Sequence, residues 1–221
     1  VSGAATQTLT GMYVPSLASS ASANFTVGTL NMAAAGSYTL KGFTSLPGDL
    51  NNNNDTSVVI KTTLPLATLP QFVNFTGFTG ANLPTFFPDW REAQGAAVPS
   101  GTTSSWTSQT NLNSTGNVNA RIFLSATAAN DWIVGPKILA TASSTLSFDA
   151  ALTANTTAPF TPSVMGSDDK VRVLVSTDCG VSFTPIFTIN ATNNLGISFT
   201  NFNVNLGAYN GQEIIVAFQA Q

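Results

Sequence analysis

Short runs of β-prone residues, each closed by a cluster of Gly, Pro, Asn or Asp, follow one another along almost the whole chain. This punctuation is the pattern of an all-β sandwich or barrel. No segment of useful length carries the 3.6-residue apolar period of an amphipathic helix. Charged residues make up only 8% of the chain, against roughly 25% in an average domain, so its surface is built from Thr, Ser, Asn and Gln. Thr favours strands, and Asn and Ser favour turns, over helices.

The spacing predicts strands over residues 23–30, 36–43 and 57–64, a turn at 46–49 and an exposed polar tip at 51–55. Three strands are too few for a closed sandwich of about seven. Residues 1–66 therefore read as a partial β module or a small sheet packed on its neighbour. Pro65 and Pro70 bracket a linker, and a second module is expected over 67–221. There the alternation is clean. Leu146, Phe148, Ala150 and Leu152 share one face; so do Val171, Val173 and Val175, and so do Phe202, Val204 and Leu206. The run from Glu213 to Phe218 has almost no polar face, as expected of a central strand covered on both sides. Its outer neighbour is not evident from the few residues that follow it. The first residue is Val1 rather than Met, so a processed or partial chain is expected.

Composition excludes several chemistries. His is absent, so no Ser-His-Asp arrangement can form, and the lone Cys179 has no imidazole to activate it. Zinc would need His or several Cys. Seven basic residues, dispersed along a chain of net charge −3, form no patch for nucleic acid. No apolar run approaches the ~18 residues of a membrane span. Glycoside hydrolysis needs two placed carboxylates, and the few Asp and Glu mostly stand in turn-like contexts. A non-enzymatic role is expected. Cys179 reads as a packed residue. Six Asn-x-Ser/Thr sequons, at Asn24, Asn54, Asn74, Asn113, Asn155 and Asn190, are what chance yields in a Thr/Asn-rich chain.

An ordered set of segments resembles the choice-of-anchor J family, related to the cleaved adhesin domains of gingipains and to MAM-type jelly rolls. Asn82-Leu-Pro-Thr-Phe-Phe-Pro-Asp-Trp90 is similar to its opening strand and turn. Trp106 stands where a second aromatic is usual, and Asn130-Asp-Trp-Ile-Val-Gly-Pro-Lys137 resembles its Asn-Asp-Trp-Leu-Ile-Ser-Pro segment. Thr145-Leu-Ser-Phe-Asp149, Asp168 to Gly180 with its Ser-Thr-Asp-Cys-Gly end, and Asn205-Leu-Gly-Ala-Tyr-Asn-Gly-Gln212 follow in the family's order. The resemblance covers about residues 70–221 and implies a jelly-roll β-sandwich. It also implies a closing strand with an Asp-Asp or Asp-Asn pair, which does not follow before Gln221. Residues 35–43 and 46–55 are weakly similar to the end of an immunoglobulin-like (CARDB-like) module that stacks between adhesin repeats. Together these imply a module of a large, secreted cell-surface adhesin of the Bacteroidetes, exported by the type IX route and serving attachment or gliding motility. Its partners would be a carbohydrate or surface-protein ligand and the other modules of the same adhesin. The alternatives are a structural spacer or filament subunit and an accessory domain of a secreted hydrolase.

Two sites are expected. Calcium takes oxygen ligands only, and the family resemblance implies a structural ion. Asp168 and Asp169 form the densest carboxylate pair, Asn130 and Asp131 the second, and the tip ending in Asp55 a third. The other reading of each is a turn residue that caps backbone groups. The cluster Trp90, Arg91 and Glu92, preceded by Asp89, suggests a ligand site: a sugar stacks on Trp while Arg and carboxylate bind its hydroxyls. The other reading of Trp90, Trp106 and Trp132 is core packing.

Overall fold

Period-2 alternation of Val, Ile, Thr and Phe with polar residues makes half-buried strands, and such strands dominate the chain. The computed structural model describes residues 1–32, 34–113, 115–124 and 130–221. Among these, helical structure is confined to three-residue 3-10 turns, and no helix is long and apolar enough to cross a membrane. The protein is all-β. It divides into two compact units, Val1–Pro65 and Leu66–Gln221.

The first unit holds β1 (Ser2–Gly3), β2 (Gly36–Phe43) and β3 (Thr56–Thr63) in that order in one antiparallel sheet. The register of β2 on β3 runs from Gly36↔Thr63 to Phe43↔Thr56. Tyr38 is fully buried and its hydroxyl donates to Ala34 O at 2.7 Å. The turn expected at 46–49 closes with Asp49 N–H on Leu46 O. Residues 23–30, expected as a strand, form none. They lie against residues 7–13 through side chains. Tyr13 meets Phe25 edge to face at 5.9 Å, and Gln7 Nε2 donates to Thr29 O. A Cβ on Gly11 would come within 2.9 Å of Phe25, and one on Gly28 within 3.2 Å of Leu9. Glycines here admit the facing side chain between the two segments, in place of a backbone ladder.

The second unit opens with β4 (Leu66–Ala67), which runs parallel to Lys137 and Ile138. That pairing ties Leu66 to this unit, one residue earlier than the expected division. There follow β5 (Arg91–Gln94), β6 (Thr107–Thr110), β7 (Val118–Arg121), β8 (Asp131–Leu139), β9 (Thr145–Ala150), β10 (Val171–Ser176), β11 (Thr184–Ile189), β12 (Thr200–Asn205) and β13 (Glu213–Ala220). The main sheet has the order β11-β10-β13-β8-β4, with β5 also on β8. The pairs β9–β12 and β6–β7 are separate. The strand β13 is buried almost throughout and is flanked by β10 and β8. The neighbour missing from the sequence reading is therefore an earlier strand, brought back by the topology.

One face of the main sheet packs against β6–β7 and β9–β12, as in a β-sandwich. Ile133 and Ala220 meet Phe78, Leu83 and Trp106, with Val118 and Ala120 alongside. Phe148, Phe187 and Phe202 pack around Ile189 and Met165. Each such apolar side chain contributes about 1.5–3 kcal/mol on burial. The opposite face carries its own cluster of Ala93, Trp132, Val134, Leu174, Ile215 and Ala217, with Phe183 packed against it.

Candidate functional site

The expected ligand cluster is divided by the alternation of β5. Glu92 points to the sandwich core, is 3% exposed, and accepts from Leu83 N–H at 2.8 Å. It thereby fixes the 3-10 turn Leu83–Thr85, whose entry residue Asn82 sits in the left-handed region at φ 71°. Trp90 packs on the same core, and its ring lies 3.6 Å from where a Cβ on Gly135 would stand. Arg91 faces the other way, with its guanidinium beside Gly180. Partial burial lowers its pKa from the usual guanidinium value. Trp132 is fully buried with Nε1 donating to Gly95 O, and Trp106 is 7% exposed with Nε1 on Asp131 O. Both are core residues.

The metal candidates also separate. Asn130 and Asp131 are consecutive residues of extended chain, so their side chains leave opposite faces. Asn130 Oδ1 accepts from Gln219 Nε2 at 3.2 Å. Asp131 is wholly buried; its Oδ1 accepts from Ser105 N–H at 2.8 Å and Gln94 Nε2 at 3.0 Å, while Oδ2 has no partner. Asp168 and Asp169, by contrast, converge: a Cβ on Gly166 would stand 2.9 Å from Asp169 Oδ2 and 3.2 Å from Asp168 Oδ1. Gly166 leaves room for two carboxylates and donates its N–H to Asp169.

Calcium needs six to eight oxygens. Among the described residues no group of three or more His, Cys, Asp or Glu could hold a metal. The pair Asn130 and Asp131 does not fit one ion, because its two side chains face apart and the Asn130 oxygen is already bonded. Asp168 and Asp169 bring two carboxylates together, with Asp169 Oδ2 accepting from Gly166 N–H. At the polar tip, Asn51 Oδ1 accepts from Asn53 N–H and Asp49 Oδ1 from Asn51 N–H, so these oxygens cap turns.

Glu92 and Asp131 lie on one face of neighbouring strands, which is the juxtaposition a glycoside-hydrolysing pair would need. At 3% and 0% exposure they are closed to any substrate.

A concave site that the sequence reading missed lies in the first unit. Lys41, Phe43, Thr44, Ser45, Leu46, Asp55 and Thr56 line an open cleft of about 500 Å³. Strand alternation sets Lys41 and Phe43 on one side of β2, and register places Thr56 opposite Phe43. The loop then folds back: Thr44 N–H donates to Asp55 O at 2.9 Å, and Thr44 Oγ1–H reaches Asp55 Oδ1 at 3.4 Å. Phe43 is 73% exposed. The cleft thus joins an aromatic face, an ammonium, a carboxylate and three hydroxyls. Those groups suit a polyhydroxylated ligand that needs stacking and several hydrogen bonds. The signal in the sequence was the spacing Lys41-x-Phe43 in a chain poor in charge; the closure by Asp55, twelve residues on, was not readable.

No protein-family model, no curated protein and no solved structure matches the chain.

Proposed function

We propose that this chain is a non-catalytic module of a secreted cell-surface adhesin, and that it holds carbohydrate in the cleft of its first unit. The observation that supports this reading most is the composition of the cleft: exposed Phe43 lines it together with Lys41, Asp55 and the hydroxyls of Thr44, Ser45 and Thr56. A sugar ring stacks its C–H face on Phe43, while Lys41 donates to and Asp55 accepts from its hydroxyls. The convergent Asp168 and Asp169 are where a structural calcium ion would bind. An ion there would tie the approach to β10, and it takes no part in binding sugar.

Glycan-array screening of the whole chain, followed by calorimetry on the best hit, tests the proposal. Phe43→Ala is expected to weaken binding by about tenfold, the equivalent of about 1.4 kcal/mol, with melting unchanged because Phe43 is exposed. Silence across neutral and acidic sugars and matrix proteins, or binding indifferent to Phe43 and Lys41, would sink it.

One observation favours the alternative of a structural spacer. The outward polar row of β9–β12 satisfies itself: Asn201 Nδ2 donates to Asp149 Oδ1 at 2.8 Å, and Asn203 Nδ2 to Asn201 Oδ1 at 2.6 Å. Side chains bonded to one another offer less to a ligand, which suits a spacer surface.

A further inference from the structure

Gln219 is 1% exposed, on the face of the main sheet that carries Trp132. Its Nε2 lies 3.3 Å from Gly95 O, 3.0 Å from Ala96 O and 3.2 Å from Asn130 Oδ1. An amide nitrogen carries two hydrogens, and here it meets three acceptor oxygens. Three oxygens converging on one partly buried point, of which Gly95 O also accepts from Trp132 Nε1, are the beginning of a cage for a hard cation. The loop after β5 is shaped for this. Gly95 has φ +133°, and a Cβ there would stand 2.3 Å from Val98 O, so only glycine allows the tight return. Gly95 N–H donates to Asn130 O at 2.9 Å, pinning the loop to the start of β8.

Charge decides what fills the cage. Arg172 Nη1 lies 3.4 Å from Gln219 Oε1, so a guanidinium stands one amide away. A divalent ion in the cage would face that positive charge with no acidic ligand among the three oxygens. The amide carries no net charge and presents its positive end to the oxygens and its negative end to Arg172. We infer that Gln219 is a built-in substitute for a cation: its amide holds residues 95 and 96 over Trp132 without metal, and the cradle is one substitution away from a calcium site.

Gln219→Glu replaces the nitrogen with an oxygen of nearly the same size. Four oxygens then face one another, and Arg172 beside the outer carboxylate oxygen offsets only part of the added charge. The variant is expected to melt several degrees below wild type in chelator, to regain most of that loss in millimolar calcium, and to bind one calcium by calorimetry. The wild type is expected to show no calcium response that depends on Asn130. Two results overturn the inference. One is a folded Gln219→Glu protein whose melting ignores calcium. The other is a wild-type response to chelator that survives Asp169→Asn but vanishes in Asn130→Ala, because an ion would then already share this cradle. Should Gln219→Glu not fold in either condition, Asn130→Asp decides: it places a carboxylate in the same cradle, and a new calcium response absent from the wild type supports the inference, while melting that stays indifferent to calcium overturns it.

Discussion

Asp178 is surrounded by donors although it stands in solvent. Its carboxylate accepts from Ser182 Oγ–H at 2.6 Å, Ser182 N–H at 2.9 Å and Ser176 Oγ–H at 2.8 Å. These bonds, those from Ser182 first, favour the charged form and lower its pKa to about 2. A folded-state pKa below the unfolded value of about 3.9 gives stability that is complete above the unfolded value and lost as pH falls through the folded one. The connection between β10 and β11 is therefore expected to hold at pH 5 and to loosen between about pH 4 and about pH 2. A carboxyl-carbon NMR titration should place Asp178 near 2; a value near 4 would show that these bonds do not persist in solution. Asp178 also shows what single residues conceal. In the sequence it was one more turn aspartate, just as Glu92 read as part of a ligand cluster. Their roles depend on Ser182 and on Leu83, partners that only the folded turn brings near.

The same connection carries a strain at the scale of the element. Cys179 has φ +60° and Gly180 φ +86°, two successive left-handed residues. Left-handed backbone costs an L-residue about 1–2 kcal/mol, and glycine escapes most of that cost. Cys179 is exposed, so it forfeits little packing if replaced. Cys179→Gly is expected to stabilise the second unit by about 0.5–1 kcal/mol, after the loss of unfolded-state entropy is deducted. Urea denaturation should show a higher midpoint with an unchanged slope; a lower midpoint would mean that the thiol contributes packing of its own. Cys179 does not pack in the core, as its sequence context had suggested. Much of the strand order was legible: β9, β10 and β12 follow the runs read from alternation, β13 the run with almost no polar face, and β2 and β3 the β-prone runs at 36–43 and 57–64. The strands β6 and β7 were not, because Thr107-Ser-Gln-Thr110 has no apolar face and Val118-Asn-Ala-Arg121 offers only two apolar residues. The division of Trp90, Arg91 and Glu92 was implicit in the same period of two, once they form a strand. The cleft was not legible, since its far wall is a loop whose return no periodicity encodes.

Across the whole molecule, what is scarce is charge: seven basic and ten acidic side chains in 221 residues. One ion pair is formed among the described residues, Lys137 Nζ to Glu213 Oε2 at 2.8 Å, and the Glu213 side chain is half exposed. Such a pair contributes about 0–1 kcal/mol. The two buried carboxylates, Glu92 and Asp131, are held by neutral N–H donors rather than by cations. Stability therefore rests on apolar burial and hydrogen bonds, which salt at moderate concentration screens weakly. Raising sodium chloride from about 20 mM to about 500 mM shortens the Debye length from about 20 Å to about 4 Å, and the melting temperature is expected to move by less than about 2 °C, which for a chain of this size is under about 1 kcal/mol. A fall of 5 °C or more would reveal long-range attraction holding the fold together. A comparable rise would reveal repulsion, with Arg91 and Arg172 on one sheet face as its first suspects. Indifference to salt would suit a protein that works where ionic strength is not its own to set.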